Sequence, residues 1–202
     1  NRLGGGDRLL AVQGDVTNEA SLEALVQEVG RRLGPCDIVV NTVHAPFDPV
    51  NVADTKDADW KVHLDALRGH SLICKTALPT MRERQYGRII FVSAAMAVRY
   101  APGCAAYTAI KRGLNGFCRT LALEEGKNNI LVNIVAPGGV SDSVSEEGAE
   151  WDDMTERLLA NCALVRFATS AEVANTVAYF ASPLADGITG QTLYVSGGEI
   201  ML

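Results

Sequence analysis

The chain has 202 residues, of which 48% are hydrophobic and 21% charged, and its formal net charge is −6. This composition predicts one folded domain and excludes a disordered chain. The acidic balance without a basic cluster excludes nucleic acid or an anionic membrane as the main partner. The five cysteines are scattered and odd in number, which favours buried thiols in the reducing cytoplasm over disulfides or a metal site.

Strands and helices are predicted to alternate along the first half of the chain. The predicted elements are a strand over 8–12, an amphipathic helix over 18–33, a buried strand over 37–41 and a long helix over about 57–81. The turn Gly14-Asp15-Val16 ends the first strand, and Gly34-Pro35 stops the first helix.

The second half continues the same alternation. The predicted elements are strands over 88–93, 130–135 and 191–195, and helices over 105–125, 154–159 and 170–180. Because the strands are almost continuously apolar, they predict a parallel sheet covered on both faces. The sequence therefore predicts an α/β fold with a doubly wound, Rossmann-like sheet in a single domain over 1–202.

Tyr107 and Lys111 lie four residues apart in a predicted helix, so they share one helix face. An ammonium group beside a phenol favours the phenolate and is expected to lower the pKa of Tyr107 from about 10. A tyrosine tuned in this way can donate or accept a proton near neutral pH. The alternative is an ordinary pair on a solvated helix face.

The order of short motifs along the chain resembles the short-chain dehydrogenase/reductase family, particularly its 3-oxoacyl-carrier-protein-reductase-like members. The resemblance covers nearly the whole chain. The motifs that carry it are Gly14-Asp15-Val16-Thr17, Asp37-Ile-Val-Val-Asn41, Gly87-Arg-Ile-Ile90, Tyr107-x-x-x-Lys111, Val132-Asn-Ile-Val-Ala-Pro-Gly138, and Ile188-Thr-Gly-Gln-Thr192 with Ser196-Gly-Gly198.

This resemblance implies an oxidoreductase that moves a hydride between NADP or NAD and a small carbonyl or alcohol substrate. It implies that Tyr107 is the catalytic acid or base and that Lys111 assists it. The residues that it implies for cofactor binding are Asp15, Val16, Asn41, Tyr107, Lys111, Pro137, Gly138 and Val140. It further implies a cytoplasmic homodimer or homotetramer, with the tail over 197–202 packed across a subunit interface.

Four positions depart from the family pattern, and all of them touch catalysis or cofactor placement. Ala94 stands at the usual serine position, and an expected asparagine aligns near Ala66. The family's Asn-Asn-Ala-Gly reads Asn41-Thr-Val-His44, and Asp142 replaces a threonine. A non-redox protein on the same scaffold is therefore the alternative. It would be a pseudoenzyme subunit, or a cyclase, isomerase or lyase that uses Tyr107 and His44.

Ser93 precedes the position of the usual serine, and successive strand side chains point to opposite faces. Ser93 is therefore not expected to replace the missing hydroxyl unless a bulge turns it. The acidic segment over about 141–165 is predicted to be a substrate lid.

The family's first βαβ unit, which carries the glycine-rich phosphate loop, has no counterpart in the sequence. We expect the parent protein to supply it upstream of Asn1, and cofactor binding depends on it. The alternative is a truncated chain that swaps elements with a partner. Without this unit, the strands over 8–12 and 37–41 would lack neighbours and expose unpaired backbone groups.

Overall fold

The computed structural model describes residues 9–46, 48–141 and 153–202, and the side chains from 155 onward in the last range. The helices are α1 Glu19–Leu33, α2 Asp57–Arg84, α3 Met96–Arg99, α4 Ala105–Glu125, α5 Asp153–Ala160 and α6 Ser170–Ala181. The strands are β1 Ile38–Asn41, β2 Gly87–Val92, β3 Ile130–Pro137 and β4 Thr192–Val195.

The four strands form one parallel sheet in the order β1-β2-β3-β4. Strands β2 and β3 form its centre, with Gly87 opposite Ile130 and Val92 opposite Val135. Consecutive parallel strands need crossover connections, which the helices supply. The predicted α/β class with a parallel, Rossmann-like sheet is confirmed.

Helices cover both faces of the sheet. Alternate residues of β2 point to opposite faces, as strand geometry requires. Ile89 and Phe91 pack in one core with residues of α2 and α4, such as Met81 and Leu114. On the other face, Ile90 packs in a second core with residues that include Phe180 of α6. The sheet is therefore the middle layer of three.

The predicted strand over 8–12 is wrong for the part that the structure describes. Residues 9–12 have no strand structure, and the side chain of Leu9 is 47% exposed. An apolar run becomes a strand only when a neighbouring strand takes up its hydrogen bonds, and no described strand pairs with this segment. Among the described strands, β1 is consequently at an edge of the sheet, with Ile38 and Val40 both more than 40% exposed.

The other predicted elements form close to their expected limits. Helix α2 is three residues longer than predicted, because it ends at Arg84 instead of residue 81, and it contains Pro79. Of the predicted lid over 141–165, residues 142–152, including Asp142, lie outside the described residues, and α5 follows them. No described helix is long and apolar enough to cross a membrane.

An ion pair between the buried Glu125 and the half-exposed Arg82 ties the ends of α2 and α4 together. The side chain of Glu125 is 1% exposed and accepts hydrogen bonds from two nitrogens of Arg82 and from Asn128 Nδ2. The hydrogen bond from Arg82 holds the pKa of Glu125 below its usual value. A buried carboxylate is strongly destabilising when its partner is removed, so this pair fixes how the two helices dock.

We expect Arg82→Met to lower the free energy of unfolding by clearly more than Arg84→Met does, because it leaves the buried Glu125 carboxylate without its cation. Arg84→Met is the matched control, because Arg84 pairs with Asp37 where both side chains are more than a third exposed. That change is expected to cost less than about 1 kcal/mol. Urea unfolding measures both, and equal losses would contradict the assignment. Adding Glu125→Gln to Arg82→Met should recover most of the loss.

Candidate active site

The candidate site lies where β2 and β3 end side by side. Because the strands are parallel and in register, the segments that follow them meet at the same sheet edge, which is where α/β proteins bind ligands. Backbone hydrogen bonds continue the alignment, from Ser93 N to Val135 O and from Ala95 N to Pro137 O. A cleft of about 220 Å³ opens there. It is lined by Ala94, Ala95, Met96, Arg99, Tyr107, Pro137, Gly138, Gly139 and Leu158.

Helix α4 presents Tyr107 and Lys111 one turn apart, as the four-residue spacing predicts. Tyr107 lines the cleft, and both residues line a second, smaller cavity, which we call the inner cavity. The inner cavity is lined by Val43, His44, Ala45, His63, Ala66, His70, Tyr107, Ile110, Lys111 and Leu114. The Nζ atom of Lys111 lies 5.5 Å from the centroid of the Tyr107 ring, within range of a cation–π interaction.

Burial sets the acidity of both groups. Desolvation raises the pKa of Tyr107 above its ordinary value of 10, and the cation that partly opposes this rise is Arg99. The prediction that Lys111 lowers the pKa of Tyr107 is therefore wrong for this structure. Lys111 is 6% exposed and forms no ion pair with any described residue. Burial lowers its own pKa to about 8, because a buried ammonium loses its hydration.

The cleft contains two of the residues predicted to bind the cofactor besides Tyr107. Pro137 and Gly138 line it directly. A Cβ atom on Gly138 would lie 3.0 Å from Ser196 Cα and 2.9 Å from Glu199 Oε2, so glycine is required here for close packing of the C-terminal tail. Val140 lies outside the cleft and bridges Ala168 in parallel.

The remaining predicted cofactor residues lie on the β1 side of the sheet. Asn41 ends β1, is 2% exposed, and accepts a hydrogen bond from Val43 N through Oδ1. Its Nδ2 has no partner among the described residues. The carboxylate of Asp15 accepts hydrogen bonds from the backbone and side chain of Thr17, and Val16 packs against α2 at Gly69. Neither Asp15 nor Val16 lines the cleft or the inner cavity.

Ala94 lines the cleft and Ser93 does not. Ser93 Oγ is buried and has no hydrogen-bond partner among the described residues. This arrangement follows from the alternation of side chains along an extended segment. The cleft therefore receives no hydroxyl from either residue, as the sequence predicts.

Sequence reasoning missed two sets of residues at the site. His63 and His70 line the inner cavity together with Ala66. His63 lies three residues before Ala66 and His70 four residues after it, so the sequence already indicated that the three share one helix face. Arg99 lines the cleft and donates to Glu199 Oε1 over 2.5 Å, with the Glu199 side chain 3% exposed. These two residues are one hundred positions apart, so no local signal pairs them.

The cleft fits the reacting end of a nicotinamide cofactor. Its volume is below the about 300–1,000 Å³ of a pocket that encloses a whole ligand, so it accommodates a ring and a small carbonyl group. Asn41 is not part of this fit, because it lines neither the cleft nor the inner cavity. Tyr107, Pro137 and Gly138 would hold the nicotinamide end, and Lys111 would bind the adjoining ribose.

The buried ammonium of Lys111 yields a stability prediction. At about 1.4 kcal/mol per pKa unit, the lowering from 10.5 to about 8 corresponds to about 3 kcal/mol. The folded pKa lies below the unfolded one, so the penalty is complete below pH 8 and disappears as the pH rises to 10.5. Lys111→Met should therefore raise the free energy of unfolding at pH 7 by up to about 3 kcal/mol, and this gain should shrink between pH 8 and 10.5.

Urea unfolding at several pH values measures this difference, with the exposed Lys127 changed to Met as the matched control. Lys127→Met is expected to have little effect at any of these pH values. A Lys111→Met protein that is less stable than the wild type at pH 7 would contradict the prediction.

Comparison with known proteins places the chain in a family. The family model described as enoyl-(acyl carrier protein) reductase matches residues 2–199. The chain is 33% identical over 192 residues to the 3-oxoacyl-(acyl-carrier-protein) reductase FabG of Staphylococcus aureus, covering 95% of the chain and 77% of that protein. It is 35% identical over 198 residues to nodulation protein G of a Rhizobium species, covering 98% and 80%.

A solved structure agrees with these matches. It is a crystal structure from Burkholderia xenovorans, described as that of a short-chain dehydrogenase/reductase. It superposes with a TM-score of 0.85 at 29% identity, and covers 93% of the chain and 74% of its own. The matched length, the identity to FabG and this superposition together show that the chain belongs to the short-chain dehydrogenase/reductase family.

Proposed function

We propose that the protein is an NAD(P)-dependent oxidoreductase that acts on a small carbonyl or alcohol compound. The observation that carries the proposal is the convergence of Tyr107, Pro137 and Gly138 on one cleft at the ends of parallel strands, with Lys111 behind Tyr107. The similarity to reductases named for acyl-carrier-protein substrates supports this chemistry.

A bound nicotinamide would supply or accept the hydride. In the reducing direction, Tyr107 donates its phenolic proton to the substrate oxygen as charge develops there, and in reverse it accepts that proton. The high pKa of Tyr107 keeps it protonated at neutral pH, which suits the acid role. Lys111 binds the nicotinamide ribose and exchanges protons in the inner cavity.

The cleft has mostly apolar walls and one charged group. Ala94, Met96 and Leu158 surround the reacting position, and Arg99 is held in place by the buried Glu199. Such walls favour a hydrophobic carbonyl compound over a small, highly polar one. The protein is proposed to work in the cytoplasm as a homodimer or homotetramer. The five free cysteines, four of them buried, support a reducing compartment.

We expect Tyr107→Phe to reduce kcat for ketone reduction by about 10²–10⁴-fold, the usual contribution of a positioned general acid. Tyr100→Phe is the matched control, because Tyr100 is 63% exposed and outside the cleft. The measurement is NADPH and NADH oxidation by the full-length protein with a panel of ketones. A wild-type protein that binds NADPH but reduces none of them would overturn the proposed function.

The lack of a hydroxyl from Ala94 or Ser93 in the cleft specifically favours a second candidate, a non-redox protein on the same scaffold. In that case Tyr107 would serve acid–base chemistry alone, or the chain would support a catalytic partner. A substitution at Ala94 separates the two candidates, because a donor to the developing oxyanion can accelerate ketone reduction only in a protein that carries out that reaction.

Ala94→Ser restores a hydroxyl that faces the cleft, and we expect it to raise kcat for ketone reduction by up to about 10²-fold, as oxyanion donors do. Ser93→Ala is the control, and it should leave kcat unchanged because Ser93 Oγ is buried away from the cleft. No gain from Ala94→Ser in a folded protein that binds the cofactor would favour the non-redox candidate.

A further inference from the structure

His63 and Tyr107 line the same two small cavities. The inner cavity offers about 10 Å³ to the centre of a water molecule, which is room for one. A second cavity of about 20 Å³, which we call the outer cavity, is also lined by His63. The outer cavity is lined by Asp48, Val50, Thr55, Asp59, His63, Gly103, Ala106 and Tyr107. Both cavities are therefore in contact with the same histidine and the same tyrosine.

The inner cavity is polar enough to hold a water molecule. A buried water needs two to four polar partners. His70 is 2% exposed, and its Nδ1 is buried without a hydrogen-bond partner among the described residues. The His70 ring is held edge-on against Phe91, with centroids 5.4 Å apart. Lys111 and Tyr107 supply further polar atoms on the opposite wall.

His63 has the position and charge state that proton transfer requires. It is 9% exposed, and its ring meets the Tyr107 ring edge-to-face with centroids 6.1 Å apart. Burial lowers the pKa of His63 below 6.5, Asp59 opposes this and Lys111 reinforces it. The ring is therefore neutral at pH 7, with one nitrogen that accepts a proton and another that donates one.

The outer cavity connects His63 to acidic groups near solvent. Asp59 lies one helical turn before His63 on α2, and its Oδ2 accepts a hydrogen bond from Lys56 N at the start of the helix. Asp48 lines the same cavity and is exposed. Carboxylates at this position can collect protons from water and pass them inward.

We propose that His63 is a proton-relay residue that connects Tyr107 to solvent, through one water molecule in the inner cavity and through Asp59 on the outside. The proposal rests on the proposed oxidoreductase function, because it supplies the proton that carbonyl reduction consumes. The proposal also explains how the site could work with alanine at position 66. The residue at that position contributes no polar side chain, and the histidines one turn before and one turn after it provide the polar groups.

Each carbonyl group that is reduced by a hydride from a reduced nicotinamide also takes up one proton from solvent. Tyr107 loses its phenolic proton to the substrate oxygen. The phenolate regains a proton from the inner water, with Lys111 as a neighbour that can pass it on, and the water is reprotonated by a nitrogen of His63. The other nitrogen of His63 takes a proton from solvent at Asp59, and a change of tautomer restores the neutral ring.

His44 offers the competing route. It lines the inner cavity, is itself exposed, and holds Nδ1 3.0 Å from the carbonyl oxygen of Ala45. A proton could reach the inner water through His44 without passing His63. The two routes differ in which histidine limits the rate of proton delivery, so paired variants distinguish them.

The first test compares His63→Gln, His44→Gln and the wild type of the full-length protein in ketone reduction. We expect His63→Gln to lower kcat by about 10-fold or more, to leave KM for the ketone nearly unchanged, and to raise the solvent deuterium isotope effect on kcat. Added imidazole should restore part of the rate. Val62→Gln, at the neighbouring exposed position, is the control and should match the wild type.

Wild-type kcat and isotope effect in a folded His63→Gln protein would overturn the relay and leave the proposed function standing. The same changes in His44→Gln alone would assign the relay to His44 and overturn the proposal. Absence of turnover in the wild type would instead count against the proposed function, and the second test does not depend on turnover.

The second test follows the ring nitrogens of the three histidines by NMR as the pH is changed. We expect His63 to titrate below pH 6.5, and Asp59→Asn to lower its pKa further because the nearby carboxylate favours the imidazolium. Asp65→Asn, on the same helix and lining neither cavity, should leave it unchanged. If the pKa of His63 is the same in Asp59→Asn as in the wild type, the step from solvent through Asp59 to His63 is overturned.

Discussion

The parallel pairing of β2 with β3 is the constraint on which the rest of the structure depends. Six residue pairs, from Gly87–Ile130 to Val92–Val135, bring the two strands to the same sheet edge. Helix α4 joins these strands and must return across one face, which places Tyr107 near the strand ends. The segments around Ala94 and Pro137 then line one cleft side by side, because their strands are paired in register.

Two charged side chains buried beside these strands, Glu125 and Lys111, differ in how their charges are stabilised. Glu125 is held by two nitrogens of Arg82 and by Asn128, so its burial adds rigidity where α2 meets α4. Lys111 has no such partner among the described residues, and its pKa drops to about 8. A buried charged group without an ionic partner is costly, and such groups are characteristic of functional sites. The contrast with Glu125 therefore marks the surroundings of Lys111 as a candidate functional site.

The docking of α2 on α4 also creates the polar interior behind Tyr107. Helix α2 carries His63 and His70 one turn either side of Ala66, and α4 carries Tyr107 and Lys111. The small side chain of Ala66 leaves space between the helices that is lined by polar groups. The departures from the family pattern that the structure describes, at Val43, His44, Ala66 and Ala94, therefore all line cavities that Tyr107 also lines. The residues that form the two hydrophobic cores keep the fold.

The sequence by itself determined the helix–strand alternation, the parallel sheet and the Tyr107–Lys111 pair, because periodicity and a four-residue spacing are local properties. Only the tertiary structure decided the rest. The run over 8–12 did not become a strand, because strands need hydrogen-bonding neighbours. The pKa of Tyr107 rose instead of falling, since desolvation depends on everything packed around the ring. Arg99 forms an ion pair with Glu199, which is one hundred positions away in the sequence. Long-range contacts of that kind are set by chain topology.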